Sequence, residues 1–332
     1  MPEKVIVSSD GGFTEKSECL GLLRDAGFEP LLKIDDRFSL GHMSDDEQAG
    51  VLRGAAAVIA WGDRYPRPIL EALPDLRVVA RAGVGFDRVD IEAASELDKV
   101  ITIAPTANYE SVAEHALTFI MALAKDIVRG DQGVRAGGWP SVSRRPLRDC
   151  TLGILGLGRI GRALAVRALA CRMKVIASEP YPDTDFVKTH RIELLEIDQV
   201  LARSDYVSLH LPLSDETSGV INLRTLAKMK PGAMLVNTSR GGLIVEADLV
   251  EALKSGHLGG AGMDVFEKEP TEPDNPLFKL DNVIHSAHVA GKDTRSMEDM
   301  GNEAAQSIID LSLGKWPQAA VVNRNLKGKW KW

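Results

Sequence analysis

The sequence is poor in the features that mark several common protein classes. Its 332 residues include only three cysteines, Cys19, Cys150 and Cys171. An odd, widely spaced set without a C-x-x-C pair implies neither a disulfide framework nor a zinc site, so no metal is expected and a reducing compartment fits best. No run of 18 apolar residues occurs, so no membrane span is expected. The first strand-like stretch, Val5-Ile6-Val7-Ser8, is too short for the apolar core of a secretory signal, which points to a cytoplasmic protein. Clustered positive charge is also lacking. The formal net charge is −7, and a surface for nucleic acid needs a concentrated positive field. The basic tail Lys327-Gly328-Lys329-Trp330-Lys331-Trp332 is short and reads as solvated. Repeats and low-complexity segments are absent. What remains is an ordinary globular composition, 44% hydrophobic and 26% charged, at a length that favours two domains over one.

The most informative stretch runs from Cys150 to Pro180. An apolar run, Leu152 to Leu155, leads into Gly156, Gly158 and Gly161 in the pattern G-x-G-x-x-G, and a helical pattern follows from Ile160 to Ala170. The first glycine permits a tight turn, the second lets backbone approach a pyrophosphate, and the third lets the helix pack on the strand. Glu179 closes the next strand, 23 residues after Gly156, near the spacing at which a carboxylate accepts both ribose hydroxyls of an adenosine dinucleotide. The glycine pattern alone is weak. Its strand, helix and acid make it a dinucleotide-binding expectation.

Before this stretch lies a complete small α/β unit. Short apolar strands at Val5–Val7, Pro30–Ile34, Ala57–Ala60, Val78–Ala80 and Ile101–Ile103 alternate with helical patterns, which predicts parallel strands with crossover helices. Asn108 to Val128 is the longest helix signal, with Ser111-x-x-Glu114 as a capping box; it is expected to bridge two domains. His115 within it is expected to pack or cap rather than to act in catalysis. Gly130, Gly133, Gly137, Gly138 and Pro140 then read as a loop. After Glu179 come strands at Tyr206–Leu211, Met234–Val236, Gly260–Val265 and Asn282–His285, with helices at Leu223–Met229 and Glu246–Lys254. The last helical pattern, Met297 to Leu313, has no further strand of the second domain to reach, so it returns to the first. The expected division is 1–104 with 292–332 as a substrate domain and 105–291 as the cofactor domain.

Ligands of doubly wound sheets bind outside the carboxyl ends of the strands. Three reactive side chains fall at such ends: Arg240, Glu269 and His288. A guanidinium fork suits a planar carboxylate, and an imidazole suits removal of a hydroxyl proton near neutrality. Singly they read as a surface ion pair, a loop charge and a loop histidine. Their placement on three successive strand ends behind a dinucleotide turn points instead to hydride exchange between a nicotinamide and C2 of a 2-hydroxy or 2-oxo acid. Asp264 could accept from the nicotinamide amide or brace a loop. In the first domain, Gly83-Val84-Gly85 offers exposed amides to an anion, while Trp61, Arg64 and Arg81 are candidates for sensing the rest of the substrate.

The ordered motifs resemble those of the D-isomer-specific 2-hydroxyacid dehydrogenase family, which includes 3-phosphoglycerate dehydrogenases and glyoxylate/hydroxypyruvate reductases. They are Gly83-Val84-Gly85, Ser111-Val112-Ala113-Glu114-His115, Gly156-Leu157-Gly158-Arg159-Ile160-Gly161, His210-Leu211-Pro212-Leu213, Asn237-Thr238-Ser239-Arg240-Gly241, Asp264 to Pro270 and His288-Val289-Ala290-Gly291. The resemblance implies a fold of two doubly wound parallel-sheet domains, a Rossmann NAD-binding domain inserted in a discontinuous flavodoxin-like substrate domain, with the active site between them and a homodimer built on the cofactor domains. It implies Arg240 on the substrate carboxylate, His288 as acid/base, Glu269 paired with His288, and Val84 and Gly85 as backbone contacts to substrate. NAD contacts are implied for Gly156, Gly158, Arg159, Ile160, Gly161, Glu179, His210, Leu211, Pro212, Thr238, Ser239, Asp264 and Gly291. Two departures stand out. Glu179 replaces the family's usual aspartate and still favours NAD over its 2′-phosphorylated form, and Ala287 replaces the proline that usually precedes the catalytic histidine. With the sequence ending at Trp332, feedback control through the C-terminal regulatory domains of some phosphoglycerate dehydrogenases is not expected. The expected activity is NAD-dependent oxidation or reduction of a small D-2-hydroxy or 2-oxo acid. Alternatives are a phosphite-type dehydrogenase and an NAD-sensing corepressor of the same fold.

Overall fold

The computed structural model describes residues 2–332. The chain divides into two compact units, one running through Asn108 and completed by Lys292–Trp332, the other spanning Tyr109–Gly291. Residues 105–108 therefore go with the first unit rather than the second.

The first unit is built on five strands: β1 Lys4–Ser9, β2 Glu29–Ile34, β3 Ala55–Ala60, β4 Val78–Arg81 and β5 Val100–Thr102. All pair in parallel in the order β2-β1-β3-β4-β5, the flavodoxin-like order. Ala55-Ala56-Ala57-Val58-Ile59-Ala60 is buried along its whole length, as a strand covered on both faces must be. The final long helix, Thr294–Ser312, belongs here. Met300, Ala304, Ala305, Ile308 and Leu311 recur at helical spacing on its buried face, and it crosses helix Glu18–Asp25 at Gly301, where a Cβ would stand 2.8 Å from Phe13 and 3.1 Å from Cys19. The C-terminal segment closes the unit instead of lying in solvent. Val322 N donates to Ile101 O, Asn323 Oδ1 accepts from Ile101 N and its Nδ2 donates to Lys99 O. Trp330 Nε1 donates to Asp98 O and Trp332 Nε1 to Glu3, with the Trp332 ring against Phe28 and beneath Arg77.

The second unit carries seven strands: β6 Thr151–Leu155, β7 Lys174–Ser178, β8 Glu193–Leu194, β9 Tyr206–Leu209, β10 Ala233–Asn237, β11 Leu258–Met263 and β12 Val283–His285. They form one parallel sheet in the order β12-β11-β10-β9-β6-β7-β8. The chain order reverses beside β6, which puts the glycine turn at the topological switch point where such sheets take ligands.

Several local expectations need correction. The long helix is Tyr109–Lys125, shorter at its C-terminal end than the pattern suggests, and it packs on helix Arg159–Ala170 and on β10 and β11. Its capping box does not form: Ser111 Oγ donates to Ala290 O, and Glu114 pairs with Arg167. The supposed loop at 130–138 is mostly helix, Ile127–Arg135, entered through Asp126 at φ +53°. β11 starts and ends two residues earlier than the apolar pattern suggests, and the helix at Leu223 stops at Leu226. Among the described residues, no helix is long and apolar enough to cross a membrane.

Candidate active site

β6 ends in the glycine turn, and the three glycines do different work. Gly156 has φ +96°, and a Cβ there would lie 2.5 Å from His210 O; at Gly161 it would lie 2.1 Å from Gly156 O. Both glycines are required by the chain's own backbone. Gly158 has nothing within 4 Å of its virtual Cβ, yet it is the N-cap of the twelve-residue helix Arg159–Ala170. An open, glycine-edged helix N-terminus presents unpaired N–H groups to an anion. Arg159 is exposed and Ile160 half-buried beside it. Glu179, just past β7, turns back to this loop: one carboxylate oxygen accepts Leu157 N at 2.8 Å and the other Tyr181 N at 3.0 Å.

Two orphaned buried polar atoms lie along the same edge. His210 Nδ1, after β9, and Thr238 Oγ1, after β10, have no hydrogen-bond partner, although buried polar atoms are normally satisfied. Burial pushes the His210 imidazole down to about 3, so it is neutral, with Nε2 2.9 Å from Ser208 Oγ. Half-buried Leu211 and exposed Pro212 follow it. An open helix N-terminus, a carboxylate at the second strand and unsatisfied atoms at the third and fourth fit a dinucleotide laid across the sheet edge.

Arg240 is set by the turn after β10. Asn237, fully buried, accepts Ser239 N through Oδ1 and donates to Arg240 O through Nδ2, while Ser239 Oγ donates to Leu209 O. The guanidinium is half-buried and donates to Ser239 O at 2.7 Å. Gly241 comes next because the chain after β11 passes there: a Cβ would fall 1.9 Å from the Phe266 carbonyl. That segment carries Glu269, whose Oε1 accepts Phe266 N and whose Oε2 lies 2.7 Å from His288 Nδ1. The carboxylate fixes the ring and leaves Nε2 for chemistry. His288 is half-exposed in its side chain and adopts φ +53°.

Asp264, completely buried after β11, anchors the His288 segment. Oδ1 accepts Ser286 Oγ and Val289 N, Oδ2 accepts Ala290 N, and its carbonyl accepts His288 N. Oδ2 retains an acceptor position for an amide. Gly291 ends the unit. His285 is not part of this group: its ring packs tilted against Phe266 and edge-on to Phe278, and burial lowers its pKa. His115, expected from sequence to pack or cap, sits with Nε2 2.9 Å from Ser286 Oγ. Nothing in the sequence signals that contact, because the partners are 171 positions apart.

Val84 and Gly85 lie in the first unit, past β4, with Val84 exposed. Arg81 underpins their loop: it is buried and donates to Gly85 O and Asp63 O. Arg64 is engaged by Gly41 O and Asp45. Of the three first-domain candidates, Trp61 alone keeps its functional group at the strand end, edge-on to Phe13, with Lys292 over its ring and paired to Asp10. In the second unit, a cavity of about 300 Å³ lies at the amino ends of β9, β10 and β11. It is on the opposite sheet edge from His288, and its cations Arg129, Arg144, Arg145 and Lys230 are already paired with Asp126 or Asp205. Among the described residues no cluster of side chains could hold a metal ion.

Residues 117–290 match the family model described as D-isomer specific 2-hydroxyacid dehydrogenase, NAD binding domain. D-3-phosphoglycerate dehydrogenase of Mycobacterium leprae (strain TN) is 40% identical over 275 residues, 82% of this chain and 52% of that protein. Glyoxylate reductase of Korarchaeum cryptofilum (strain OPF8) is 36% identical over 305 residues, 88% of this chain and 92% of that protein. The chain thus spans about half the length of the phosphoglycerate dehydrogenases it matches. Among solved structures, the TT0316 protein from Thermus thermophilus superposes with a TM-score of 0.83 at 33% identity, covering 96% of this chain and 100% of that one. D-lactate dehydrogenase from Aquifex aeolicus, complexed with NAD and lactic acid, gives 0.83 at 27%, covering 96% and 99%.

Proposed function

Because the chain belongs to the D-isomer specific 2-hydroxyacid dehydrogenase family, we propose that it is an NAD-dependent oxidoreductase that reduces a small 2-oxo acid to its D-2-hydroxy acid, and the reverse. The observation that carries this reading is the His288–Glu269 pair at 2.7 Å, on strand ends neighbouring the one that presents Arg240. In it Arg240 binds the substrate carboxylate, assisted by the Val84 and Gly85 amides. His288 gives its Nε2 proton to the carbonyl oxygen, or takes it from the hydroxyl. Glu269 stabilises the imidazolium and holds the ring's orientation. NADH, when bound, would supply the hydride for C2. Gly156, Gly158, Arg159, Ile160 and Gly161 would hold its pyrophosphate end, Glu179 the adenosine ribose, and His210, Leu211, Pro212, Thr238, Ser239, Asp264 and Gly291 the remainder. Glu179 would also repel a 2′-phosphate, which favours NAD.

For the substrate we favour glyoxylate or hydroxypyruvate. Arg81 and Arg64 are both engaged within the first unit, and Trp61 and the Asp10-neutralised Lys292 offer an aromatic surface rather than a phosphate site. The 40% identity to a 3-phosphoglycerate dehydrogenase supports 3-phosphohydroxypyruvate as the second reading. A cytoplasmic homodimer belongs to the proposal. The three cysteines are free, and Ile127, Val134, Trp139 and Val142 expose apolar surface on one segment of the cofactor unit, as an unsatisfied interface would.

The test is NADH oxidation at 340 nm with purified protein and a panel of glyoxylate, hydroxypyruvate, 3-phosphohydroxypyruvate and pyruvate, and NAD reduction with phosphite. Turnover of the small unphosphorylated acids with the highest kcat/KM is expected. NADH binding without any turnover would leave a cofactor-sensing protein and overturn the enzyme reading.

A further inference from the structure

His288 must be held in an unusual place. Its backbone is left-handed at φ +53°, which costs a non-glycine residue on the order of 1–3 kcal/mol in a sparsely populated region. The residue before it is Ala287, which does not restrict the chain as a proline would. Some other part of the structure has to fix this segment.

The fixing contacts come from two directions. From β11, Asp264 takes four hydrogen bonds from residues 286–290: Ser286 Oγ at 2.5 Å, Val289 N at 2.9 Å and Ala290 N at 2.9 Å on the carboxylate, and His288 N at 2.7 Å on its carbonyl. From helix Tyr109–Lys125, two side chains one turn apart reach the same segment. Ser111 Oγ donates to Ala290 O at 2.8 Å, and His115 Nε2 lies 2.9 Å from Ser286 Oγ and 3.9 Å from Asp264 Oδ1. The His115 ring is held edge-on against Phe119, centroids 4.7 Å apart.

The donor order in this chain is determined. The Ser286 hydroxyl has one proton and gives it to Asp264, so its oxygen accepts from His115 Nε2–H. His115 therefore polarises Ser286 toward a carboxylate that is completely buried, and chained hydrogen bonds of this kind strengthen one another. Both the neutral Nε2–H tautomer and the imidazolium can donate this bond, so the chain works in either protonation state.

We propose that His115 and Ser286 are positioning residues: acting through Asp264, they hold the strained His288 backbone in place. Neither residue touches the reacting atoms. The proposal rests on the reading of His288 as the acid/base of 2-oxo acid reduction. His115 is thus more than a packed helical histidine.

The test uses the full chain with His115→Phe, which keeps a ring on Phe119, and Ser286→Ala, beside the conservative His115→Gln and Ser286→Thr, which keep an Nε2 donor and a hydroxyl. Two measurements are made on each. One is amide hydrogen exchange of residues 286–291 without substrate. The other is kcat and KM for the best 2-oxo acid, with the NADH dissociation constant.

His115→Phe and Ser286→Ala are expected to speed exchange of that segment by about tenfold and to lower kcat by about 10- to 100-fold, the scale of a displacement near 1 Å in a catalytic group. KM and NADH affinity should stay within about threefold, and the conservative variants should recover most of the loss. If His115→Phe does not fold, Ser286→Ala decides. Unchanged exchange in both disruptive variants, or loss of kcat that Ser286→Thr and His115→Gln fail to recover, overturns the positioning role. A wild type that turns over no 2-oxo acid, with variants that still loosen 286–291, supports the positioning chain and refutes the reduction reading instead.

Discussion

Gly158→Ala separates what the glycine turn does for the fold from what it does for a ligand. Within the chain the added methyl meets nothing within 4 Å, so no clash term applies. Two small stability terms oppose each other. Alanine is a poorer N-cap than glycine, a cost of about 0.5–1 kcal/mol. It also restricts the unfolded chain, a gain of about 0.4–1 kcal/mol. The net is within about 1 kcal/mol, and the cofactor unit should melt within about 4 °C of wild type. Ligand binding is another matter. The methyl occupies the space through which a diphosphate would reach the N–H groups at the start of helix Arg159–Ala170, and a hydrogen bond to a charged group contributes about 1.5–3 kcal/mol. Losing one weakens NADH by about 10- to 150-fold. Melting by circular dichroism and NADH titration by fluorescence read the two effects separately. Gly161→Ala is the control, because its Cβ would stand 2.1 Å from Gly156 O, and it should lose stability and binding together. NADH affinity within threefold of wild type in a fully folded Gly158→Ala protein would show that this turn does not carry the pyrophosphate.

Three further outcomes follow from other parts of the structure. Glu269→Gln keeps an acceptor 2.7 Å from His288 Nδ1 but removes the charge, so kcat should fall by about 100-fold or more with KM nearly unchanged, because proton transfer by a positioned group contributes about 10²–10⁴-fold; an equal rise in KM alone would assign Glu269 to substrate binding. His210 is held neutral by burial, its pKa lowered from its ordinary value to about 3. A base with a depressed folded pKa binds protons preferentially when unfolded, so the stability it permits is full above about pH 6.5 and declines as pH falls toward 3, by at most about 1.4 kcal/mol per pH unit. His210→Gln should flatten that acid limb of a urea-denaturation series, and an unchanged limb would count against it. Trp332→Ala removes the ring packed edge-on against Phe28 and under Arg77 and the bond to Glu3. The first unit should lose about 2–3 kcal/mol and melt about 5–10 °C lower, with NADH affinity intact, since all three partners lie in that unit.

The parts of this protein that were legible in sequence are those in which local pattern and tertiary role coincide. Strands such as Ala55–Ala60, and Thr151–Leu155 from Leu152 onward, are apolar because a parallel sheet covers both faces, and the pattern announces them. Gly156 and Gly161 are legible because the turn requires glycine from its own backbone. Illegible were elements whose pattern serves surfaces the chain does not itself cover. Helix Ile127–Arg135 buries no residue, and its two internal glycines read as punctuation. The two-residue β8 is exposed throughout. The tail Trp330–Trp332 looked solvated because its partners, Asp98, Phe28 and Glu3, lie more than 200 positions away.

The candidate active-site edge divides along the same line. Arg240, Glu269 and His288 could be placed from sequence because each follows a strand, and the carboxyl ends of parallel strands share one edge by topology. Topology brings reactive groups to an edge but does not fix their orientation within it. The orientation comes from second contacts, Asn237 under Arg240, the Phe266 amide under Glu269, and Asp264 with Ser286 under His288, each a polar side chain or amide whose type alone is compatible with many roles. Asp264 shows the consequence. A carboxylate after β11 was open to either a ligand or a loop from sequence, and in the folded chain three of its acceptor positions are taken by residues 286–290. If it also receives the nicotinamide amide, the fourth position does so. Cofactor and acid/base segment are then held by separate oxygen lone pairs of the same buried carboxylate.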